Sequence, residues 1–337
     1  MDISIFKKAI ISLNLRISGQ MFKTYNNMLQ DIKQCLRIIE TIKPSTNNPW
    51  LTVHENYLKD KIKMFKILRF IPASFVPSDH KDLNFNATNK FTENGRMKCK
   101  DITLPAPSKK IFYESSISFH VIMDSLFTYL LDDLNQEILY SIFTEHLNEG
   151  PYEYKTVRLE KGDIVIDAGA NIGEFSALAG IKGCAAYAFE PIPNIIDTYL
   201  SKTAEWNPNI TICKYALSDK RGELIFEENL SNLGGSSYVR EVKNSNKIKV
   251  QAIDLDSFVE ENKLPRVDFI KADIEGAERY MLMGAKRVLK EFAPKIAICT
   301  YHLPDDPQVL RELILDANPN YVIEERWKKM YAFVPIG

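Results

Sequence analysis

The sequence carries no Cys-x-x-Cys pair. Its five cysteines, Cys35, Cys99, Cys184, Cys213 and Cys299, stand far apart. That excludes a zinc or dithiol framework and fits a reducing, cytoplasmic setting. Neither charge is in excess: the 337 residues sum to a formal −1, so no global basic field draws nucleic acid. No run reaches the roughly 18 apolar residues that a membrane-spanning helix needs. Lys7 and Lys8 precede a short apolar stretch, but Asn14 and Arg16 interrupt it and no small-residue cleavage site follows. A signal peptide is therefore not expected. Two phosphate signatures are also missing. Gly-x-Gly-x-x-Gly does not occur, and no glycine loop ends in Gly-Lys-Ser/Thr. Their absence argues against a bound pyrophosphate.

What is present is a normal globular balance. Hydrophobic residues make up 45% and charged residues 26%, enough for a sizeable core in one large or two ordinary domains. The chain is organised around residues 163–173, Asp-Ile-Val-Ile-Asp-Ala-Gly-Ala-Asn-Ile-Gly. The β-branched run Ile164-Val165-Ile166 reads as a buried strand ending in Asp167. Gly169, Asn171 and Gly173 follow as a turn, and residues 174–181 read as a helix. Glycines allow positive φ and close backbone approach, and the helix start offers free N–H groups. An acidic residue beside such a turn suits a cationic ligand, such as an ammonium or a sulfonium.

Upstream, two amphipathic stripes predict helices: Ile3, Phe6, Ile10, Leu13, Ile17, and then Tyr25, Met28, Ile32, Cys35, Ile39, Ile42. The second stops before Pro44. Asn48-Pro49 reads as an N-cap and first helical position. Such stripes suit an ordinary packing face, or a surface for self-association. Residues 72–107 are rich in Asn, Lys, Asp and Pro, and predict a long loop. Helical texture returns over 116–147. The expected division is a helical region, 1–110, with a linker from about 72. A second domain, 111–337, has its core from about 152.

From Tyr152 onward strands and helices alternate. Strands are expected at 164–167, 185–190, 210–214, 267–272 and 295–300. A strand pair is expected at 223–226 and 248–252, and an antiparallel pair closes the chain at 321–323 and 331–334. Helices are expected to about 204, over 254–261 with Asp254 as cap, over 276–289 and over 307–316. This predicts an α/β fold with an open, mostly parallel, Rossmann-like sheet and helices on both faces. Ligands bind such sheets at the carboxyl ends of the strands.

That rule selects Asp167, Gly169 and Asn171 from the first strand end and Glu190 from the second. Ala216 and Leu217 come from the third, Asp273 and Glu275 from the fourth, and His302 from the fifth. Glu190 lies 190 − 167 = 23 residues past Asp167, a separation at which an acid can accept both hydroxyls of a ribose. The crevice thus fits a nucleoside without its phosphates. Each residue also has a plainer reading. Glu190 could be a solvated rim residue, Glu275 could serve a helix N-terminus, and His302 could be structural.

The ordered segments Val-Ile-Asp-Ala-Gly-Ala-Asn-Ile-Gly-Glu-Phe-Ser, Ala-Phe-Glu-Pro, Ala-Leu-Ser-Asp and Lys-Ala-Asp-Ile-Glu-Gly-Ala-Glu resemble the FkbM family of S-adenosylmethionine-dependent methyltransferases. The resemblance spans about 152–318. It implies a class I methyltransferase sheet and O-methylation of a hydroxyl on a sugar, glycan or natural product. It also implies that Asp167, Gly169, Asn171 and Gly173 form the methionine-side loop. By the same resemblance, Glu190 holds the ribose and the residues near Ala216 and Leu217 flank the adenine. Two other readings compete: a scaffold of the same fold without turnover, and a nicotinamide-dependent oxidoreductase. The missing Gly-x-Gly-x-x-Gly weighs against the latter.

Methyl transfer from a sulfonium demands positioning and desolvation, and a hydroxyl acceptor must also lose a proton. Asp273 and His302 are the expected catalytic pair. A neutral His302 would act as base, with Asp273 orienting it or the acceptor. No built-in metal is required. A divalent ion held by Asp273 and perhaps Glu275 is the alternative.

Overall fold

The computed structural model describes residues 19–46, 48–68, 92–105, 119–141, 149–229, 235–242 and 245–335. The first predicted stripe, Ile3 to Ile17, and residues 72–91 of the predicted linker lie outside them. The chain forms two compact units. One comprises the described parts of 1–90 and 131–148, the other those of 91–130 and 149–337. This grouping differs from a single boundary near 110, because each unit takes chain from both sides of it.

In the first unit, α1 (Gly19–Ile42) and α2 (Pro49–Leu68) pair as a helical hairpin. Asn48 Oδ1 accepts the Trp50 N–H at 2.9 Å, the N-cap that the Asn-Pro step announces. Ile32, Cys35 and Ile39 from the α1 stripe are buried, as are Trp50, Leu51 and Leu58 of α2.

The second unit begins with a three-stranded meander: β1 (Thr92–Glu93), β2 (Arg96–Cys99) and β3 (Ile102–Pro105). This corrects the expected loop. Asn94 and Gly95 both have positive φ, +50° and +74°, the dipeptide that a tight hairpin favours. Alternation then buries Met97, Cys99, Ile102 and Leu104. Next come α3 (Phe119–Leu130) and, in the first unit, α4 (Gln136–Ser141).

The core alternates as expected. Its elements are β4 (Ile164–Ala168), α5 (Glu174–Ile181), β5 (Ala185–Phe189), α6 (Pro193–Ile195), a π-turn over 196–200, α7 (Ser201–Trp206) and β6 (Ile210–Cys213). A short β7 (Ala216–Leu217) follows, then β8 (Gly222–Asn229), β9 (Ser245–Ile253) and α8 (Leu255–Glu261). The chain finishes with β10 (Phe269–Ala272), α9 (Glu278–Met283), α10 (Lys286–Glu291), β11 (Lys295–Cys299), α11 (Asp306–Ala317), β12 (Val322–Arg326) and β13 (Lys329–Phe333).

Seven strands form one sheet in the order β12-β13-β11-β10-β4-β5-β6. It is parallel except at β13, which runs antiparallel to β11 and β12. β7, β9 and β8 make a separate small sheet. One face of the main sheet, including Ile166, Ile270 and Ile298, packs on α8 to α11. α5 covers β4, β5 and β6 on its own side. β4 has β5 on one side and β10 on the other, so the switch point lies at its carboxyl end. Among the described residues, no helix is long and apolar enough to cross a membrane.

Candidate active site

The turn after β4 is tightly specified. Gly169, Asn171 and Gly173 all have positive φ, +77°, +49° and +88°. A Cβ on Gly169 would lie 2.0 Å from the Asp273 carbonyl oxygen, so the turn presses directly on the end of β10. The N–H groups of Gly169 and Ala170 donate to the Phe189 carbonyl at 3.0 and 2.9 Å. Three strand ends are thereby held together.

Asp167 is fully buried and does not line the cleft. Its Oδ2 accepts the Ser176 hydroxyl at 2.6 Å, and its Oδ1 lies 3.0 Å from Lys271 Nζ. Lys271 is its cross-strand neighbour on β10 and also donates to the carbonyl of Gly169 at 2.6 Å. Burial disfavours the Lys271 charge, but Asp167, Asp273 and Glu174 outweigh it and raise its pKa. The pair braces the turn from beneath. Asn171 and Gly173 are also set back from the cleft. The Asn171 N–H donates to Glu190 Oε2 at 3.1 Å, and Gly173 starts α5.

Glu190 does line the cleft, together with Gly169, Ala216, Leu217 and Asp273. Its other oxygen, Oε1, accepts the Ile192 N–H at 2.9 Å. Burial pushes its pKa up to about 7, against the two backbone N–H groups that favour the carboxylate. The cleft encloses about 500 Å³ of space open to solvent. Its far wall is apolar and aromatic, built from Ile192, Phe226 and Tyr238. No described lining residue is basic, so the cleft offers a nucleoside a carboxylate and an apolar wall but offers a phosphate no counter-charge.

At the other end lie Asp273 and Glu275, with His302 behind them and outside the lining of the cleft. Asp273 Oδ2 accepts the Tyr152 hydroxyl at 2.7 Å. His302 Nε2 faces Asp273 Oδ1 at 3.4 Å and Glu275 Oε2 at 3.7 Å, and Nδ1 lies 2.9 Å from Glu278 Oε1. The imidazole is wholly enclosed beneath the two carboxylates. Burial lowers the His302 pKa, but Glu278 and Asp273 outweigh it, so the net shift is upward. Near neutrality the ring thus holds a proton more readily than a free histidine does. Burial favours a protonated Asp273, yet His302, Lys271 and Lys329 prevail and keep its pKa below the usual value. The structure thus brings Asp273 and His302 together.

Three residues of this site went unread in the sequence. Glu278 was visible as the last residue of Lys-Ala-Asp-Ile-Glu-Gly-Ala-Glu. It is fully buried, and accepts the N–H groups of Ile274 and Gly276, each at 2.9 Å. Arg240 reaches in from a polar loop, pairs with the Glu275 carboxylate and donates from Nε to its carbonyl at 3.0 Å. Tyr152 gave no local signal, since it sits ahead of β4 in an irregular stretch.

Residues 167–323 match the family model of the methyltransferase FkbM domain. This segment, just under half of the chain, is similar to that domain. Relatives of the FkbM domain include the hexuronic acid methyltransferase AglP of Haloferax volcanii, 28% identical over 159 residues, 47% of this chain and 64% of that protein. The chain thus spans less than two thirds of that relative's length. The methyltransferase sdnD of Sordaria araneosa is 27% identical over 213 residues, 53% of this chain and 80% of that protein. Among solved structures, the methyltransferase FkbM of Methylobacillus flagellatus aligns with a TM-score of 0.42 at 20% identity, covering 66% of this chain and 64% of that one.

Proposed function

We propose that the chain is an S-adenosylmethionine-dependent O-methyltransferase acting on a hydroxyl of a sugar, glycan or natural-product acceptor. The observation that carries this is the cleft itself. A buried glutamate, an apolar wall and the absence of any described basic lining residue suit an adenosine without phosphates. Each Glu190 oxygen accepts one backbone N–H and has a further lone pair for a ribose hydroxyl. Ala216 and Leu217 fit an adenine ring. Gly169 allows close backbone approach on the methionine side, with Asn171 and Gly173 shaping the turn and Asp167 bracing it. When bound, S-adenosylmethionine supplies a methyl group on a positively charged sulfur. The name of the Haloferax relative supports a sugar acceptor.

Asp273 and His302 are the proposed catalytic residues. Asp273 follows β10 and lines the cleft, where an acceptor hydroxyl can meet the methyl group, while His302 follows the neighbouring β11 and backs Asp273 from beneath the cleft surface. An apolar wall excludes water from the opposite side and keeps the electrostatics of the polar side strong. The test is a screen of hydroxylated sugars and glycans, uronic acids included, with isotope-labelled methyl donor. Label should appear as a methyl ether. His302→Ala should lower turnover about 100- to 10,000-fold while cofactor affinity stays nearly unchanged. Near-normal turnover in a His302→Ala, Asp273→Asn double variant would remove both from the chemistry.

A further inference from the structure

We infer that Asp273, Glu275 and His302 form a binding site for a divalent metal ion, with Mn²⁺ or Mg²⁺ as its chemical class. This deepens the methyltransferase reading and rests on it for the cation's role, though not for its binding. The three residues each present one ligand atom, and the atoms lie within 4.8 Å of one another. His302 Nε2 is 3.4 Å from Asp273 Oδ1 and 3.7 Å from Glu275 Oε2. Adjacent ligands of an octahedral ion with bonds near 2.1 Å are about 3 Å apart. The two pairs through His302 need only a small contraction to reach that geometry, and the third lies within 4.8 Å.

The imidazole supplies the independent observation. Its side chain is fully buried, and neither ring nitrogen makes a hydrogen bond to any described residue, although Nδ1 lies 2.9 Å from Glu278 Oε1. With Nδ1 close to Glu278, Nε2 faces two carboxylate oxygens, and in a neutral ring protonated at Nδ1 it presents them its lone pair. Such an arrangement calls for a positive charge among the three atoms, which a proton on Nε2 supplies in the empty site and a bound cation supplies in its place. Metal-bound histidines commonly direct their other nitrogen at a carboxylate, and Glu278 has that position. Glu278 is itself fixed by the backbone N–H groups of Ile274 and Gly276. Glu275 is held in a left-handed conformation, φ +57°, with its carbonyl tied to Ser237 at 2.8 Å. That backbone is costly for a non-glycine residue, and it turns the Glu275 side chain toward His302. Two carboxylates and one imidazole suit Mn²⁺ or Mg²⁺ rather than a soft, thiolate-seeking ion.

Three protein ligands leave coordination positions for the acceptor oxygen and water. The cation polarises the acceptor O–H, and the proton leaves to water in the open cleft. The oxygen lone pair then forms the new C–O bond as the C–S bond breaks, giving the methyl ether and S-adenosylhomocysteine. The role of His302 is then to hold the ion. Arg240, which pairs with Glu275, is the competing positive charge.

The experiment titrates the chelator-treated full chain with MnCl₂ alone, following free Mn²⁺ by electron paramagnetic resonance. S-Adenosylhomocysteine binding is measured in parallel as a check on fold and on the methyltransferase reading. One Mn²⁺ per chain is expected. Asp273→Asn, Glu275→Gln and His302→Ala should each weaken it at least ten-fold, and Arg240→Gln should tighten it several-fold. Absence of stoichiometric Mn²⁺ in a chain that binds S-adenosylhomocysteine would overturn the metal site alone. So would Mn²⁺ affinity unchanged in both Glu275→Gln and Asp273→Asn. Stoichiometric Mn²⁺ without S-adenosylhomocysteine binding would keep the site and overturn the methyltransferase reading.

Discussion

Glu190 shows how one residue can be placed for ligand binding at a cost to folding. Its carboxyl is buried, and that burial pushes its pKa up to about 7. An unfolded glutamate titrates near 4.3. Between these values the folded chain holds a proton that the unfolded chain has released. Its stabilising contribution is therefore full below about pH 4.3 and is lost as pH rises through about 7. Glu174, also raised to about 7 by burial, acts in the same direction. A Glu190→Gln chain lacks this titration. Denaturant unfolding of both chains from pH 4.5 to 7.5 should show the unaltered chain losing stability relative to the variant as pH rises. A difference that stays constant across this range would contradict the burial account. The N–H groups of Asn171 and Ile192, which both donate to the carboxylate, offset part of that cost.

At the scale of elements, the turn between β4 and α5 depends on the cross-strand pair beneath it. Asp167 and Lys271 are both almost wholly buried. Removing one partner leaves an uncompensated charge, which typically costs about 3–5 kcal/mol. Lys271→Met should therefore destabilise by that order, while an Asp167→Leu, Lys271→Met double variant should recover most of the loss. Chemical denaturation measures both, and a loss below about 1 kcal/mol in the single variant would deny the brace its role. Much of this element level was legible in the sequence, because short β-branched runs and glycine turns are local signals. The strand 164–167, the helix 174–181 and the Asp254 cap could be read from their own residues, and Asp254 accepts the Ser257 N–H at 2.8 Å. Other features were set from a distance. One helix was expected over 276–289, yet it breaks after Met283. A Cβ on Gly284 would lie 2.2 Å from the Ser218 carbonyl oxygen. Asp256, on α8, then accepts the N–H groups of Arg287 and Val288 at 2.9 Å. A cap contributed by another helix leaves no mark in the capped segment. The meander at 92–105 was missed for the opposite reason. Its Asn-Gly turn was present but was masked by the polar composition around it. In the candidate site, Asp273 and His302 could be placed by strand order, but Tyr152, Arg240 and Glu278 are assembled by tertiary contact.

At the scale of the whole molecule, two units divide the chain. In the first, the stripe on α1 buries Ile32, Cys35 and Ile39 within its own unit, as an ordinary packing face does. The second holds the cleft, with the strand ends, the turn and the polar cluster all inside one unit. Near-zero net charge leaves recognition to the local chemistry of that cleft rather than to long-range steering. The central claim is that this chemistry selects an adenosine bearing an amino acid rather than a dinucleotide. Titration calorimetry of the full chain with S-adenosylhomocysteine, and separately with NAD, tests it most directly. The account predicts one S-adenosylhomocysteine per chain. Glu190→Ala should weaken that binding by roughly 1–3 kcal/mol, the scale of hydrogen bonds to a charged group, and NAD should give no heat. Binding of NAD without S-adenosylhomocysteine, or S-adenosylhomocysteine binding indifferent to Glu190→Ala, would contradict it.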